Sequence, residues 1–267
     1  MEVSSDTQVR RMALRKKHEA KQAIEWYEGY WEIPQEVRAE IKEEEKRNGY
    51  RIIDDNKIDR ERCIFHQGMI QKLAGEAQRL RQSSNLGARF LNRTFETFDK
   101  TRNPTAYARA TAYANSETLF NDPRNCLLII GTTGTGKTHL ASAIANRLVD
   151  IGVPTRFGTF QNHLDKIKGE FDTSGERHYL DDIKGTPMLV LDDLGKERQT
   201  EWTHSILYDI VNYRYEHLLP TIFTSNLQMT DLANYCGSAV WSRLNEMCDT
   251  IAMNGKDYRY DRTKGTI

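Results

Sequence analysis

Hydrophobic positions divide the chain into two unlike parts. From residue 125 onward, short apolar runs alternate with stretches of helical period, a pattern that predicts a parallel sheet with helices on both faces. Cys126-Leu127-Leu128-Ile129-Ile130 is the first run and reads as a buried strand, followed by a helix over 139–148 that Gly152 closes. Further strands are expected at 154–160, 188–191, 221–224 and 250–253. Helices are expected at 161–171, 176–183, 202–217 and 239–247. Ahead of the sheet, 105–120 predicts a helix whose Ala106, Ala110 and Ala114 form a narrow face suited to close packing.

The first part is patterned differently. Residues 9–23 predict an exposed helix rich in Arg, Lys, Ala and Gln. Trp26, Tyr27, Tyr30 and Trp31 crowd together, as the core of a small helical unit or as a binding platform. A charged helix runs from Pro34 to a stop at Asn48-Gly49, and 67–82 predicts another. Ser83-Ser84-Asn85-Leu86-Gly87 has linker composition. Phe95 and Phe98 beyond it are expected to anchor an extended segment on the following domain. The chain therefore divides into a helical partner-binding region (1–85), a linker and lead-in (86–124), and a catalytic domain (125–267).

Composition narrows the classes of partner. Of 267 residues, 38 are Lys or Arg and 38 Asp or Glu, for a formal net charge of zero. With no overall basic field, contact with nucleic acid rests on local patches. No apolar run approaches the ~18 residues of a membrane span, and the N-terminus lacks the apolar core of a signal peptide. The four cysteines, Cys63, Cys126, Cys236 and Cys248, are scattered, which points to reduced thiols and a cytoplasmic location. Cys63 and His66 have the spacing of zinc ligands, but a structural zinc needs four. No second Cys/His pair lies nearby, so a plain buried cysteine near a surface histidine is the preferred reading of the pair.

One stretch carries specific chemistry. Gly131-Thr132-Thr133-Gly134-Thr135-Gly136-Lys137-Thr138 fits G-x-x-x-x-G-K-[ST] between a strand and a helix, the context that a phosphate-binding loop requires. Backbone N–H groups at the helix start face the phosphates of ATP. Lys137 supplies a point charge, and Thr138 a ligand for Mg²⁺. The strand at 188–191 runs into Asp192-Asp193: Asp192 suits the metal, and Asp193 the attacking water. Thr224-Ser225-Asn226 ends the next strand, where an amide reaches the γ-phosphate or the water. Arg243 and Arg259 follow, as phosphate contacts or as surface ion pairs.

Together with Ser242-Arg243-Leu244 and Tyr258-Arg259, these motifs resemble the DnaC/DnaI/IstB group of AAA+ ATPases, in that group's order and over roughly residues 88–261. The resemblance implies a three-layer α/β P-loop NTPase sandwich with strand order 5-1-4-3-2 after a small helical domain. It makes Asn226 the sensor 1 residue, Arg243 an arginine finger acting in a neighbour's site, and Arg259 the sensor 2 arginine. It places a single-stranded DNA-binding insertion at 161–183, with Lys166, Lys168, Phe171, Arg177 and Tyr179 as contacts. It implies self-association through the ATP site, and a replicative helicase as partner. A transposition helper ATPase and a small-molecule kinase are the alternatives. The sequence departs from the group in carrying Asp193 where glutamate is common, and in lacking the cysteine-rich zinc module of some loaders.

Overall fold

The protein is described here by a computed structural model, at residues 78–116, 118–173 and 178–258, with backbone alone at 170–173. Of the expected N-terminal helices only the end of the one at 67–82 is described, and residues 78–83 are helical. The others, the aromatic cluster, Cys63, His66, Arg177 and Arg259 lie outside the described residues. The short helix α1 (Ala88–Leu91) and α2 (Pro104–Asn115) precede the sheet. There follow β1 (Cys126–Ile130), α3 (Lys137–Asp150), β2 (Thr155–Thr159), α4 (Phe160–Thr173), α5 (His178–Gly185) and β3 (Met188–Leu194). The chain continues through α6 (Glu201–Glu216), β4 (Thr221–Ser225), α7 (Met229–Met247) and β5 (Cys248–Ala252).

All pairings are parallel and the order is β2-β3-β4-β1-β5, which is the order that the family resemblance implies. Alternation along the strands feeds two apolar layers. Leu127 and Ile129 of β1 join Ala106, Ala110, Ala114, Leu140 and Ile144 on one face. Cys126, Leu128 and Ile130 join Leu164, Ile183, Ile210 and Leu244 on the other. The second layer is pinned by Arg214, which is 1% exposed and has no carboxylate partner among the described residues. Its guanidinium donates to the carbonyls of Ile183, Lys184, Thr186 and Pro220 and to Thr221 Oγ1. Among the described residues, no helix is long and apolar enough to cross a membrane.

Several boundaries differ from expectation. The helix expected at 105–120 stops at Asn115, because Ser116 turns extended. α7 begins at Met229, not at 239, and Gly237 with φ 73° kinks it. Its first half buries Leu232, Tyr235 and Cys236 at helical spacing. β3 runs on through both aspartates, with a register irregularity between Leu191 and Leu194.

The segment before α1 is tied to the domain. Ser84 and Leu86 are buried, and the Ser84 carbonyl accepts from the Phe157 N–H on the edge strand β2. Phe90 packs on Phe157, with ring centroids 5.2 Å apart. Asn146 Nδ2 on α3 donates to the carbonyls of Phe90, Leu91 and Arg93, at 3.0, 3.4 and 3.1 Å. The Phe98 ring stands edge-on to His139, centroids 5.2 Å apart, so the lead-in docks on the helix that Lys137 opens.

Candidate active site

The phosphate loop spans from the end of β1 to the start of α3, and its glycines do work no other residue could. Gly131, Gly134 and Gly136 have φ of 143°, 79° and 98°, outside the range of ordinary side chains. A Cβ on Gly131 would sit 2.0 Å from the Met253 carbonyl oxygen, and one on Gly134 within 1.8 Å of Asp257. The segment after β5 thus lies against the loop. Thr132 Oγ1 donates to the Gly255 carbonyl at 2.9 Å, and the Tyr258 N–H donates to the Gly134 carbonyl at 3.2 Å.

Lys137 is buried, and its Nζ donates to the carbonyls of Gly131 and Thr132 at 2.8 and 2.7 Å. The ammonium therefore lies inside the loop. Asp192 is 2% exposed at the end of the neighbouring strands. The Thr224 hydroxyl on β4 donates to Asp192 Oδ1 at 2.6 Å and accepts from the Asp193 N–H at 2.9 Å. Burial lifts the Asp192 carboxyl above its ordinary value. Hydrogen bonds from Thr224 and Thr138 oppose that, and the charge of Asp193 adds to it. A buried carboxylate beside a threonine hydroxyl is a donor set that fits a hard divalent ion.

Asp193 has φ 59°, which is unusual for a residue with a side chain. The turn aims its carboxylate at β4: Asn226 Nδ2 donates to Asp193 Oδ1 at 3.0 Å, while Lys196 Nζ donates to Oδ2 at 2.6 Å. The structure brings Lys137, Thr138, Asp192, Asp193 and Asn226 together at the carboxyl edge of the sheet, where ligands gather in such folds. Arg243 is not among them. Its guanidinium carbon lies 5.4 Å from the Tyr208 ring centroid and 5.6 Å from that of Tyr215, and Nη1 donates to the Ala239 carbonyl.

The expected DNA contacts are split. Lys166 and Lys168 are exposed on α4, and Phe171 lies further along that helix. The Tyr179 ring is already engaged. His163 stacks on it, Lys166 Nζ lies 5.2 Å from its centroid, and its hydroxyl hydrogen-bonds His163 Nδ1 at 2.8 Å. Sequence reasoning missed Thr224 as the bridge between the aspartates, and Lys196 as a partner of Asp193. It also missed the segment over the loop at Met253, Gly255 and Asp257. Thr224 was legible from its place before Asn226; the segment over the loop carries no local signal.

Comparison with known proteins agrees with this geometry. The family profile described as "IstB-like ATP binding protein" matches residues 54–265. Phage-like element PBSX protein XkdC of Bacillus subtilis (strain 168) is 30% identical over 154 residues, covering 55% of this chain and 57% of the relative. Replicative helicase loader DnaC of Escherichia coli (strain K12) is 31% identical over 116 residues, covering 43% and 47%. The chain thus spans about half the length of the curated relatives it matches. The crystal structure of the DnaC helicase loader aligns with TM-score 0.55 and 28% identity, over 62% of this chain and 99% of that one. The fold is that of an AAA+ domain.

Proposed function

Because this chain belongs to the family of IstB-like ATP binding proteins, we propose that it is an ATP-hydrolysing AAA+ protein of DNA replication that helps place a replicative helicase on single-stranded DNA. The observation that carries the ATPase reading is the contact of Asn226 with Asp193, across two strands and beside a phosphate loop. A simple phosphate-binding turn has no use for that pair. Bound ATP with Mg²⁺ supplies the transferable phosphoryl group and spreads the charge that develops on it. Backbone N–H groups of 132–138 and Lys137 hold the phosphates, and Thr138 and Asp192 take the metal. Asp193 draws a proton from the attacking water, which Asn226 orients. Arg243 acts in a neighbouring copy; its lack of contact with its own site supports that role. Arg259 serves its own site.

The relatives named as replicative helicase loaders support the choice of partner. Residues 1–85 would carry the helicase contact, and 125–267 the ATPase. Lys166 and Lys168 are the DNA contacts best supported, since they are exposed. The family description favours a second reading, a transposition helper that acts with a transposase on duplex DNA.

Two experiments test this. Lys137→Ala and Arg243→Ala are each expected to abolish ATP hydrolysis, and their mixture to regain part of it. No recovery would count against a finger acting between subunits. Affinity capture of the helicase by the full chain separates the two partner readings. Nucleotide-dependent filaments on duplex DNA, with no helicase bound, would favour the transposition helper.

A further inference from the structure

Arg243 is flanked by two rings from another helix. Tyr208 and Tyr215 are seven residues apart on α6, about two turns, and so share one side of it. Arg243 comes from the second half of α7, beyond the kink at Gly237. Its guanidinium carbon lies over both rings, 5.4 Å from the Tyr208 centroid and 5.6 Å from that of Tyr215. Nη1 donates to the Ala239 carbonyl, one turn back on α7. Nε is buried, with no hydrogen-bond partner among the described residues. The rings differ in setting. Tyr208 is 43% exposed, so it adds little to the core, and its contact is with the arginine. Tyr215 packs against the second apolar layer. A hydrogen bond to Glu246 raises its hydroxyl above the ordinary value and ties the ring to α7.

An arginine held by aromatic faces is in a different condition from one in an ion pair. A carboxylate offsets the charge and takes up the N–H fork. A ring attracts the cation through its face and leaves in-plane N–H groups for another acceptor. A long side chain also loses rotamer freedom when it grips a ligand, and one already held loses less. The two rings therefore fix where the guanidinium sits without cancelling its charge.

We propose that Tyr208 and Tyr215 are positioning residues for Arg243, whose guanidinium they hold ready for a phosphate bound by the neighbouring copy. The inference rests on the proposed function, in which Arg243 acts in that copy's site. The rings reach the reaction through Arg243 alone. Their effect therefore belongs to the subunit that donates the arginine, and not to the one that holds ATP.

That asymmetry supplies the test. In a mixture of Lys137→Ala and Arg243→Ala chains, the first donates the arginine and the second holds the nucleotide. Tyr208→Leu removes the ring at an exposed position, where substitution is mild, and Tyr208→Phe keeps it. Placed in the Lys137→Ala chain, Tyr208→Leu is expected to lower the recovered ATP hydrolysis about two- to fivefold, and Tyr208→Phe to preserve it. Placed in the Arg243→Ala chain, Tyr208→Leu is expected to change nothing. No loss in the first placement, or any loss in the second, overturns the inference. So does an equal loss with Tyr208→Phe. Sedimentation velocity of the full chain, with Mg²⁺ and a slowly hydrolysed ATP analogue, should show Tyr208→Leu assembling like wild type. Weaker assembly overturns the inference and makes the ring a contact between copies. No recovery in the parent mixture overturns the reading of Arg243 as a finger between subunits, and the inference with it. Should circular dichroism show Tyr208→Leu unfolded, Tyr208→Gln takes its place and is read in the same way.

Discussion

Asp193 shows how a single residue is set up for chemistry at the expense of comfort. Its φ of 59° is a conformation that a side chain tolerates poorly, and it costs about 1–3 kcal/mol. The surrounding turn holds it there because the Asn226 and Lys196 side chains occupy its two oxygens. Lys196 is 58% exposed, so its ion pair contributes little to folding. Its effect falls on Asp193, whose Oδ2 it occupies. Lys196→Ala is therefore expected to leave Tm nearly unchanged and to raise basal ATP hydrolysis by up to about fivefold. Steady-state phosphate release checks this; a fall in rate would show that Lys196 assists the reaction.

At the scale of elements, two buried bases hold the helices on the sheet. Arg214 joins α6 to the ends of α5 and β4 through five hydrogen bonds, and burial pulls its guanidinium down to about 10. Arg214→Met strands those acceptors and is expected to cost about 3–5 kcal/mol. Thermal unfolding should shift down by roughly 10 °C. His163 fixes α4 against α5 through Tyr179, and burial holds it down to about 4, against an ordinary 6.5. Between those values the unfolded chain binds a proton that the native state does not. Stability therefore falls as pH drops from 6.5 to 4, and the loss reaches about 3 kcal/mol. Urea unfolding across that range measures the slope, which His163→Gln should flatten. In Asp192 the direction is opposite: the apo protein gains stability as its carboxyl takes up a proton.

For the whole molecule, what was legible in the sequence was local. The phosphate loop is written in consecutive residues, and alternating apolar runs predicted five strands, whose order only the family resemblance supplied. Boundaries slipped where neighbours decide: β3 gained Asp192 and Asp193 because β4 pairs as far as Ser225. The burial of Arg214 has no local signal in the sequence, since its partners lie on other elements. Residues 83–87 have the composition of a linker, yet the Ser84 carbonyl is bonded to the edge of the sheet. Asn146 sits where the lead-in meets α3. Its one amide grips three carbonyls of the lead-in, on the helix whose first residue is Lys137. Whatever tugs on the chain upstream tugs on that helix, so a load applied at the front of the protein would be felt as strain on the grip around a phosphate.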